Sequence, residues 1–212
     1  LKIRGWDRAL WLETTSEDPG HAMTAQAVRE SVDLVLGAGG DGTIRVICSG
    51  LAHTGIPFGL IPAGTGNLLA RNLGIPLFLQ AAVDVALNGQ DRAIDLVKVS
   101  GDGIPEDEHY MVMAGMGFDA AVMEGANEQI KAKVGWLAYV VSGLRNLMFP
   151  AVRLEVSIDG GEWSRHRART VVIGNVGYLQ AGMPLLPDAA IDDGVLDVVL
   201  LHPSRFLSWI PL

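Results

Sequence analysis

Apolar runs and helix-like segments alternate in the first part of the chain. Residues 32–36 (VDLVL) and 58–61 (FGLI) have the continuous apolar character of strands buried on both faces, and 9–13 (ALWLE) is a further short apolar run. The helix-like segments are 21–31, 43–52, 67–73 and 77–88. Strands that alternate with helices predict a parallel sheet covered on both faces, with ligands bound where loops leave the carboxyl ends of the strands.

The pattern changes after residue 93. The DGG at 159–161 predicts a hairpin turn, and a helical interruption is expected over 120–148. The strand-like runs of this part are 94–99, 109–114, 152–158, 168–174 and 195–201. The sequence therefore predicts an α/β domain over 1–93 and a mainly β domain over 94–212.

The composition is that of a folded protein. Of the 212 residues, 49% are hydrophobic and 19% are charged, which excludes a disordered chain. The 16 basic and 24 acidic residues give a formal charge of −8. This charge repels nucleic-acid phosphates and anionic membranes unless basic side chains form a separate patch, and no run of lysines and arginines occurs. We therefore expect no nucleic-acid partner.

Cysteine usage and hydropathy bear on the cellular compartment. The single cysteine, Cys48, excludes an internal disulfide and favours a cytoplasmic protein. Residues 46–70 contain no Asp, Glu, Lys or Arg, but five glycines and two prolines in this stretch argue against a membrane helix. The sequence predicts no transmembrane segment, and peripheral contact with a membrane stays open.

A glycine-rich loop, GAGGDGT at 37–43, joins the first buried strand to a helix. Three of its glycines match the dinucleotide pattern G-x-G-x-x-G, but no acidic residue follows before Asp84, which argues against a conventional NAD site. The spacing of Gly37 and Gly42 also matches a P-loop, yet Thr43 stands where the lysine belongs. What remains is a loop whose free amides can hold phosphate at a helix N-terminus.

Asp41 is the one carboxylate of this loop. Beside a polyphosphate, a carboxylate would hold Mg²⁺ through water or accept a proton from an attacking hydroxyl. The alternative is that Asp41 caps the helix and the glycines make a tight turn. The first loop alone favours neither interpretation.

A second glycine loop, PAGTGN at 62–67, again follows a strand and precedes a helix. Gly64 and Gly66 permit close approach of a ligand to the backbone, Thr65 offers a hydroxyl, and Asn67 can orient either a nucleotide sugar or the first loop. Two such loops at the ends of successive strands predict a phosphate-binding cleft.

With these motifs the sequence resembles the diacylglycerol kinase catalytic domain family, which contains soluble bacterial lipid kinases and is related to the NAD kinases. The matching blocks are GGDGT at 39–43, PAGTGNLLAR at 62–71, GMGFDAAV at 115–122 and the long block at 174–201 that contains DDG. The resemblance implies an α/β plus β fold, in which a Rossmann-like nucleotide-binding domain precedes a β-sandwich lipid-binding domain, with the active site between them.

The resemblance also implies ATP and Mg²⁺ as cofactors and a lipid substrate at a membrane surface. Asp41 is the candidate catalytic carboxylate, and Thr15, in preference to Thr14, is expected at the ATP site. Asp193 is expected to bind Mg²⁺ beside the carbonyls of Ala190 and Val195, although Asp-Gly there is also typical of a turn. The other candidate ATP-site residues are Gly39, Gly40, Gly42, Thr43, Ile44, Arg45, Val46, Gly64, Thr65, Gly66 and Asn67.

The sequence departs from the family pattern in three places. Members usually begin with a strand and an Asn-Pro-x-Ser-Gly-like loop, and they continue beyond the equivalent of Leu212 with a segment that carries an acidic proton acceptor. We therefore expect the first strand and the C-terminal extension to be missing from this sequence. Arg45 stands where an asparagine is common, either as a phosphate contact or as a solvated charge.

We expect a lipid kinase that acts on diacylglycerol or a related lipid, because PAGTGN and the long DDG block favour the lipid branch. A soluble-substrate kinase of the NAD kinase type and a catalytically silent nucleotide-binding module are the alternatives. The apolar segment 134–149 is interpreted as a buried core helix, in preference to a helix that lines an acyl-chain groove, rests on a membrane or packs against a partner. No motif identifies the lipid, and a homodimer stays open.

Overall fold

The structure is a computed structural model that describes residues 6, 9–104, 108–117 and 151–202. The chain divides into two compact units. The first contains Leu1–Arg92 and Lys98–His109, and the second contains Ala93–Val97 and Tyr110–Leu212. The predicted helices over 120–148 and 134–149 lie outside the described residues.

The first unit is built on two parallel strands, β1 (Val35–Gly39) and β2 (Phe58–Pro62). In their register Gly39 lies opposite Pro62, so both strands end at the same edge of the sheet. The helices of this unit are α1 (His21–Arg29), α2 (Asp41–Leu51), α3 (Leu68–Asn72) and α4 (Leu79–Asn88). The predicted alternation of strand and helix is confirmed, and each glycine loop connects a strand to a helix.

The predicted position of the first strand, 32–36, is wrong by three residues. β1 extends into the glycine cluster and includes Gly37. Glycine is required at this position of the strand, because any larger residue would collide with neighbouring side chains. A Cβ atom on Gly37 would lie 2.6 Å from the Phe58 ring and 2.8 Å from Ile47. Residues 9–14, which include the first apolar run, form neither helix nor strand.

Helix α2 fills the core of the first unit. Ile44, Val46, Ile47 and Leu51 are buried on it, and the helix packs against α1 and β1. On the other strand, α4 packs closely on β2, since a Cβ atom on Gly59 would lie 2.7 Å from the Cβ of Ala86. This packing fixes the start of α2 relative to the ends of the two strands.

The described residues of the second unit form two antiparallel sheets. In the first, β5 (Met113–Gly117) and β9 (Asp197–Leu201) flank β8 (Thr170–Gly174). In the second, β6 (Val152–Val156) and β7 (Ser164–Ala168) form a hairpin. The hairpin turn predicted at 159–161 is confirmed, since Asp159 and Gly160 have φ angles of 53° and 70°.

Two of the predicted strands are divided in the structure. The run 109–114 is shared between β4 (Glu108–Tyr110), which pairs with β3 (Val97–Val99), and β5. The run 168–174 is interrupted at Arg169, where the chain passes from one sheet to the other. An apolar pattern alone carries no signal for such a change of sheet.

Among the described residues, no helix has the length and apolar character needed to cross a membrane.

Asn175, directly after β8, holds three segments of the second unit together. Its side chain is 1% exposed, and its Nδ2 donates to the carbonyls of Asp95, 3.1 Å away, and Met111, 3.0 Å away. We expect Asn175→Ala to lower the free energy of unfolding by about 1–3 kcal/mol, because it leaves the buried carbonyl of Met111 and the half-buried carbonyl of Asp95 without this donor. Urea denaturation measures the change.

Asn88→Ala is the matched control, because that side chain is exposed and donates to Asp84 on the same helix. Its effect should stay within about 0.5 kcal/mol. An equal loss of stability in the two variants would contradict the role given to Asn175.

Cys48 lies on α2, and burial raises the pKa of its thiol to about 12. Since the thiolate is the reactive form, we expect almost no reaction with Ellman's reagent at neutral pH in the folded protein. In denaturant the single cysteine should react fully. Rapid labelling of the folded protein would contradict this placement.

Candidate functional site

The two glycine loops of the first unit touch each other at the edge of the parallel sheet. The amide of Ala63 donates to the carbonyl of Gly39 over 3.0 Å, which continues the strand pairing into the loops. A Cβ atom on Gly64 would lie 2.4 Å from the Cα of Gly40, so only glycine fits there. The predicted juxtaposition of the two loops is therefore present in the structure.

Asp41 is the first residue of α2, and its carboxylate reaches across to α3. Its Oδ1 accepts hydrogen bonds from the amides of Leu68, at 2.7 Å, and Leu69, at 3.3 Å. These are amides of the first turn of α3, which have no partner within that helix. The sequence interpretation of Asp41 as a cap for its own helix is wrong, because it caps the helix that follows the second loop.

Asn67 closes the second loop from within. Its backbone is left-handed, with φ of 51°, and its side chain is 9% exposed. The amide of Gly64 donates to Asn67 Oδ1 over 2.8 Å, and Nδ2 donates to the carbonyl of Gly64 over 2.7 Å. The sequence suggested that Asn67 orients either a nucleotide sugar or the first loop. The bonds in the structure show a different role, in which Asn67 holds its own loop.

The start of α2 is open on one side and packed on the other. Gly40 precedes the helix in an extended conformation, and no side chain caps the helix there. Gly42 is exposed, and a Cβ atom at this position would meet nothing within 4 Å. Thr43 packs against Gly39, where an added Cβ would lie 2.7 Å from Thr43 Cβ. An anionic group could therefore approach the first-turn amides on the side of Gly42.

The side chains of Ile44 and Val46 face the core, with exposures of 2% and 5%. The Ile44 amide already donates to the carbonyl of Gly40 over 3.0 Å. Thr65 is exposed at the tip of the second loop, and the Gly66 carbonyl accepts a bond from Arg71 Nε over 3.0 Å. The role of these residues in an ATP site stays a prediction.

Arg45 lies on α2 and is turned towards β4. Its guanidinium forms an ion pair with Glu108 and donates to the carbonyl of His109 over 3.4 Å. One helical turn later, Ser49 Oγ lies 2.8 Å from Nδ1 of His109. Arg45 and Ser49 therefore fasten α2 to β4, and a phosphate contact for Arg45 would compete with this ion pair.

Thr15 lies in the turn that leads into α1. Its side-chain oxygen accepts a bond from the amide of Asp18 over 3.0 Å. The carboxylate of Asp18 in turn accepts the amides of Gly20, His21 and Ala22 at the start of the helix, and these bonds lower the pKa of Asp18. The described contacts of Thr15 are thus with the α1 cap, and its place in the ATP site stays a prediction.

Asp193 lies in a turn before β9, and its Oδ1 accepts the amide of Val195 over 2.9 Å. The carboxylate and the carbonyls of Ala190 and Val195 are oxygen ligands, the type that Mg²⁺ prefers, and their joint role in a metal site stays a prediction. Among the described residues, no cluster of three or more His, Cys, Asp or Glu side chains could hold a metal ion. Mg²⁺ commonly binds through one or two carboxylates and completes its shell with water and phosphate, so a Mg²⁺ site does not require such a cluster.

Asp95 is a positioning residue that the sequence reasoning missed. Its Oδ2 accepts the amide of Gly194 over 2.7 Å, and its own amide donates to the carbonyl of Ile191 over 2.7 Å. Both bonds hold the turn that carries Asp193. The contact joins positions 99 residues apart, and no local spacing could have indicated it.

Profiles of two known families match the chain. The profile described as the diacylglycerol kinase catalytic domain matches residues 8–99, and the profile described as the YegS C-terminal NAD kinase beta sandwich-like domain matches residues 112–210. The chain is similar to a solved structure of a diacylglycerol kinase from Bacillus anthracis str. Sterne, with 26% identity and a TM-score of 0.70. That match covers 93% of this chain and 63% of the other.

Similar sequences carry lipid kinase names. A protein of Yersinia enterocolitica named "Probable lipid kinase YegS-like" is 35% identical over 86% of this chain and 61% of its own length. A diacylglycerol kinase of Bacillus subtilis is 32% identical over 97% of this chain and 67% of its own length. The chain thus spans between about three fifths and two thirds of these relatives.

These matches confirm the predicted fold class, an α/β nucleotide-binding domain followed by a β-sandwich domain. The two profiles together cover most of the sequence, and the relative from Bacillus subtilis matches nearly all of it. On this evidence the chain belongs to the diacylglycerol kinase catalytic domain family.

Proposed function

We propose that this chain carries the core of a lipid kinase that transfers the γ-phosphoryl group of ATP to a hydroxyl of diacylglycerol or a related lipid. The observation that carries the proposal is the bond between Asp41 and the first turn of α3, which makes the two glycine loops a single unit. Relatives named diacylglycerol kinase and lipid kinase support the same reaction class.

The phosphates of ATP would lie against the backbone of the two loops. The open side of Gly42 would let an anion approach the first-turn amides of α2, and the close contact between Gly40 and Gly64 holds the two loops against each other. The chain has a net charge of −8, so backbone dipoles and a cation must supply compensating positive charge. The buried side chains of Ile44 and Val46 would then support α2 from the core side.

Asp41 is proposed as the catalytic carboxylate. In the transfer, the lipid hydroxyl oxygen bonds to the γ-phosphorus, the bond from that phosphorus to the β,γ-bridging oxygen breaks, and ADP leaves. The hydroxyl proton needs an acceptor. Oδ1 of Asp41 accepts the two α3 amides, so we assign proton transfer or orientation of the hydroxyl to Oδ2.

Asp193 and the carbonyls of Ala190 and Val195 would hold Mg²⁺. A divalent ion held there would supply positive charge to anionic phosphate oxygens. Asp95 holds the backbone of this turn in place through the Gly194 amide. The metal assignment concerns the second unit and is independent of the role given to Asp41.

Membrane lipids are the proposed acceptors, with the protein acting at the membrane surface from the cytoplasm. The two alternative functions, a soluble-substrate kinase and a silent nucleotide-binding module, would give different results in an assay with γ-labelled ATP. A kinase of the NAD kinase type would leave the label from γ-labelled ATP in the aqueous phase, and a silent module would bind nucleotide and transfer nothing. Extraction of the label into an organic phase, dependent on Mg²⁺ and on diacylglycerol micelles, therefore supports the proposed activity directly.

The pair Asp41→Asn and Asp41→Ala separates the chemical role of the carboxylate from its structural role. Asparagine keeps an oxygen that can accept the α3 amides, so nucleotide binding should stay near the wild-type value. Lipid phosphorylation should fall about 10²–10⁴-fold, as expected for loss of a positioned proton acceptor. Alanine should also lower the free energy of unfolding by about 1 kcal/mol, because the cap is lost.

Lipid phosphorylation is measured with the full-length protein, and nucleotide binding is measured by calorimetry. Full activity of Asp41→Asn would contradict the catalytic role of Asp41. Loss of nucleotide binding in that variant would show that its charge serves the binding of ATP instead.

Asp193→Asn tests the proposed metal site. Asparagine can keep the bond to the Val195 amide, but it replaces an anionic oxygen by a neutral one. We expect the affinity for Mn²⁺, followed by electron paramagnetic resonance as a substitute for Mg²⁺, to fall by about tenfold or more. Asp188→Asn, which changes an exposed carboxylate nearby in sequence, should leave the affinity unchanged. Equal affinities of wild type and Asp193→Asn would contradict the assignment.

A further inference from the structure

One face of the β6–β7 hairpin collects arginines that lie apart in the sequence. In the antiparallel register Arg153 is opposite Arg167, and Glu155 is opposite Arg165. Residues opposite each other, and residues two apart on one strand, point to the same side of a sheet. These four residues therefore define a single surface, the hairpin face, with three positive charges and one negative charge.

The charges of the hairpin face are incompletely balanced within the protein. Arg165 Nε lies 2.9 Å from Glu155 Oε1, in an ion pair whose arginine side chain is 88% exposed. In the described part of the chain, Arg153 and Arg167 have no hydrogen-bond or ion-pair partner, and both are exposed. Like charges directly opposite each other destabilise a strand pair, so an external anion would reduce the repulsion between Arg153 and Arg167.

An exposed aromatic side chain stands beside these arginines. Trp163 is 70% exposed and directly precedes β7, in the same alternation as Arg165 and Arg167. At the other end of the hairpin loop Ile158 is 62% exposed. A tryptophan beside arginines is typical of surfaces that contact the boundary between lipid headgroups and acyl chains.

We propose that the hairpin face docks the protein on an anionic phospholipid surface. Arg153 and Arg167 contact lipid phosphates, and Trp163 enters the headgroup region. A chain with a net charge of −8 is repelled by such a membrane unless its basic side chains are segregated, and strand pairing provides this segregation. This inference rests on the proposed lipid kinase function, because docking would bring the protein to a membrane that contains its lipid substrate.

The hairpin face and Trp163 suit a lipid bilayer better than they suit a nucleic acid. Glu155 lies among the arginines, and Asp159 and Glu162 occupy the turn, so no continuous basic track exists for a polyphosphate backbone. A lipid surface offers phosphates for the paired arginines and an apolar boundary for Trp163 at once.

The contribution of Arg153 and Arg167 to membrane binding is tested by vesicle sedimentation of the full-length protein without ATP. Vesicles of phosphatidylcholine mixed with phosphatidylglycerol are compared with vesicles of phosphatidylcholine alone. We expect Arg153→Gln/Arg167→Gln to weaken binding to the anionic vesicles about 25-fold, at about fivefold for each arginine removed near an anionic surface. The variant should remain folded, since the substitution removes a like-charge pair.

Arg29→Gln/Arg92→Gln is the matched control, because it removes two charges from exposed positions of the first unit. It should change binding by less than about twofold, since neither residue lies on the hairpin face. Equal losses in the two double variants would show that only net charge matters and would overturn the proposal. Tight binding of Arg153→Gln/Arg167→Gln to anionic vesicles would overturn it as well.

The placement of Trp163 is tested with brominated phospholipids, which quench tryptophan fluorescence on contact. Trp163→Phe should lose most of the quenching, whereas Trp11→Phe, which removes a side chain that is 83% exposed, should keep it. Unchanged quenching in Trp163→Phe would contradict its contact with lipid. Neither assay needs turnover, so vesicle binding without lipid phosphorylation would count against the proposed kinase function and leave the docking surface intact.

Discussion

The carboxylate of Asp41 joins the two glycine-loop helices of the first unit, α2 and α3. β1 and β2 bring the two glycine loops to one edge of the sheet, but strand pairing ends at Ala63, and α3 contains only five residues. So short a helix has little stability of its own, and its first-turn amides need partners. Asp41 supplies such a partner from the start of α2. A carboxylate that could take part in chemistry is thereby held in place by the backbone amides at the start of α3.

Other contacts limit where this unit can move. Asn67 fixes the loop between β2 and α3 through both polar atoms of its side chain, and Gly64 lets the loop lie against Gly40. Further along α2, Arg45 and Ser49 fasten the helix to β4. In the second unit, Asp95 and Asn175 play similar roles around the turn that carries Asp193 and around β8. Asn67 acts within its own loop, whereas the side chains of Arg45, Ser49, Asp95 and Asn175 join segments distant in sequence.

These long-range bonds mark the limit of what the sequence could predict. Alternating apolar runs and glycine loops were sufficient for the α/β unit, because a parallel pair places both loops at one edge. The bonds between Asp41 and the amides of α3 could not be predicted, since capping preferences relate a residue to the helix that it begins. The basic hairpin face was missed for a related reason. Arg153 and Arg167 are 14 positions apart and become neighbours only through the register of β6 and β7.

The bond from Asp41 to α3 is tested most directly by residue-resolved hydrogen exchange. In the wild-type protein the amides of Leu68 and Leu69 should be protected, although they begin a helix and would otherwise exchange rapidly. Asp41→Ala should accelerate their exchange by about tenfold, which corresponds to loss of one hydrogen bond, and Asp41→Asn should largely preserve the protection. Rapid exchange of both amides in the wild-type protein, or equal protection in Asp41→Ala, would contradict the account of the two loops as one unit.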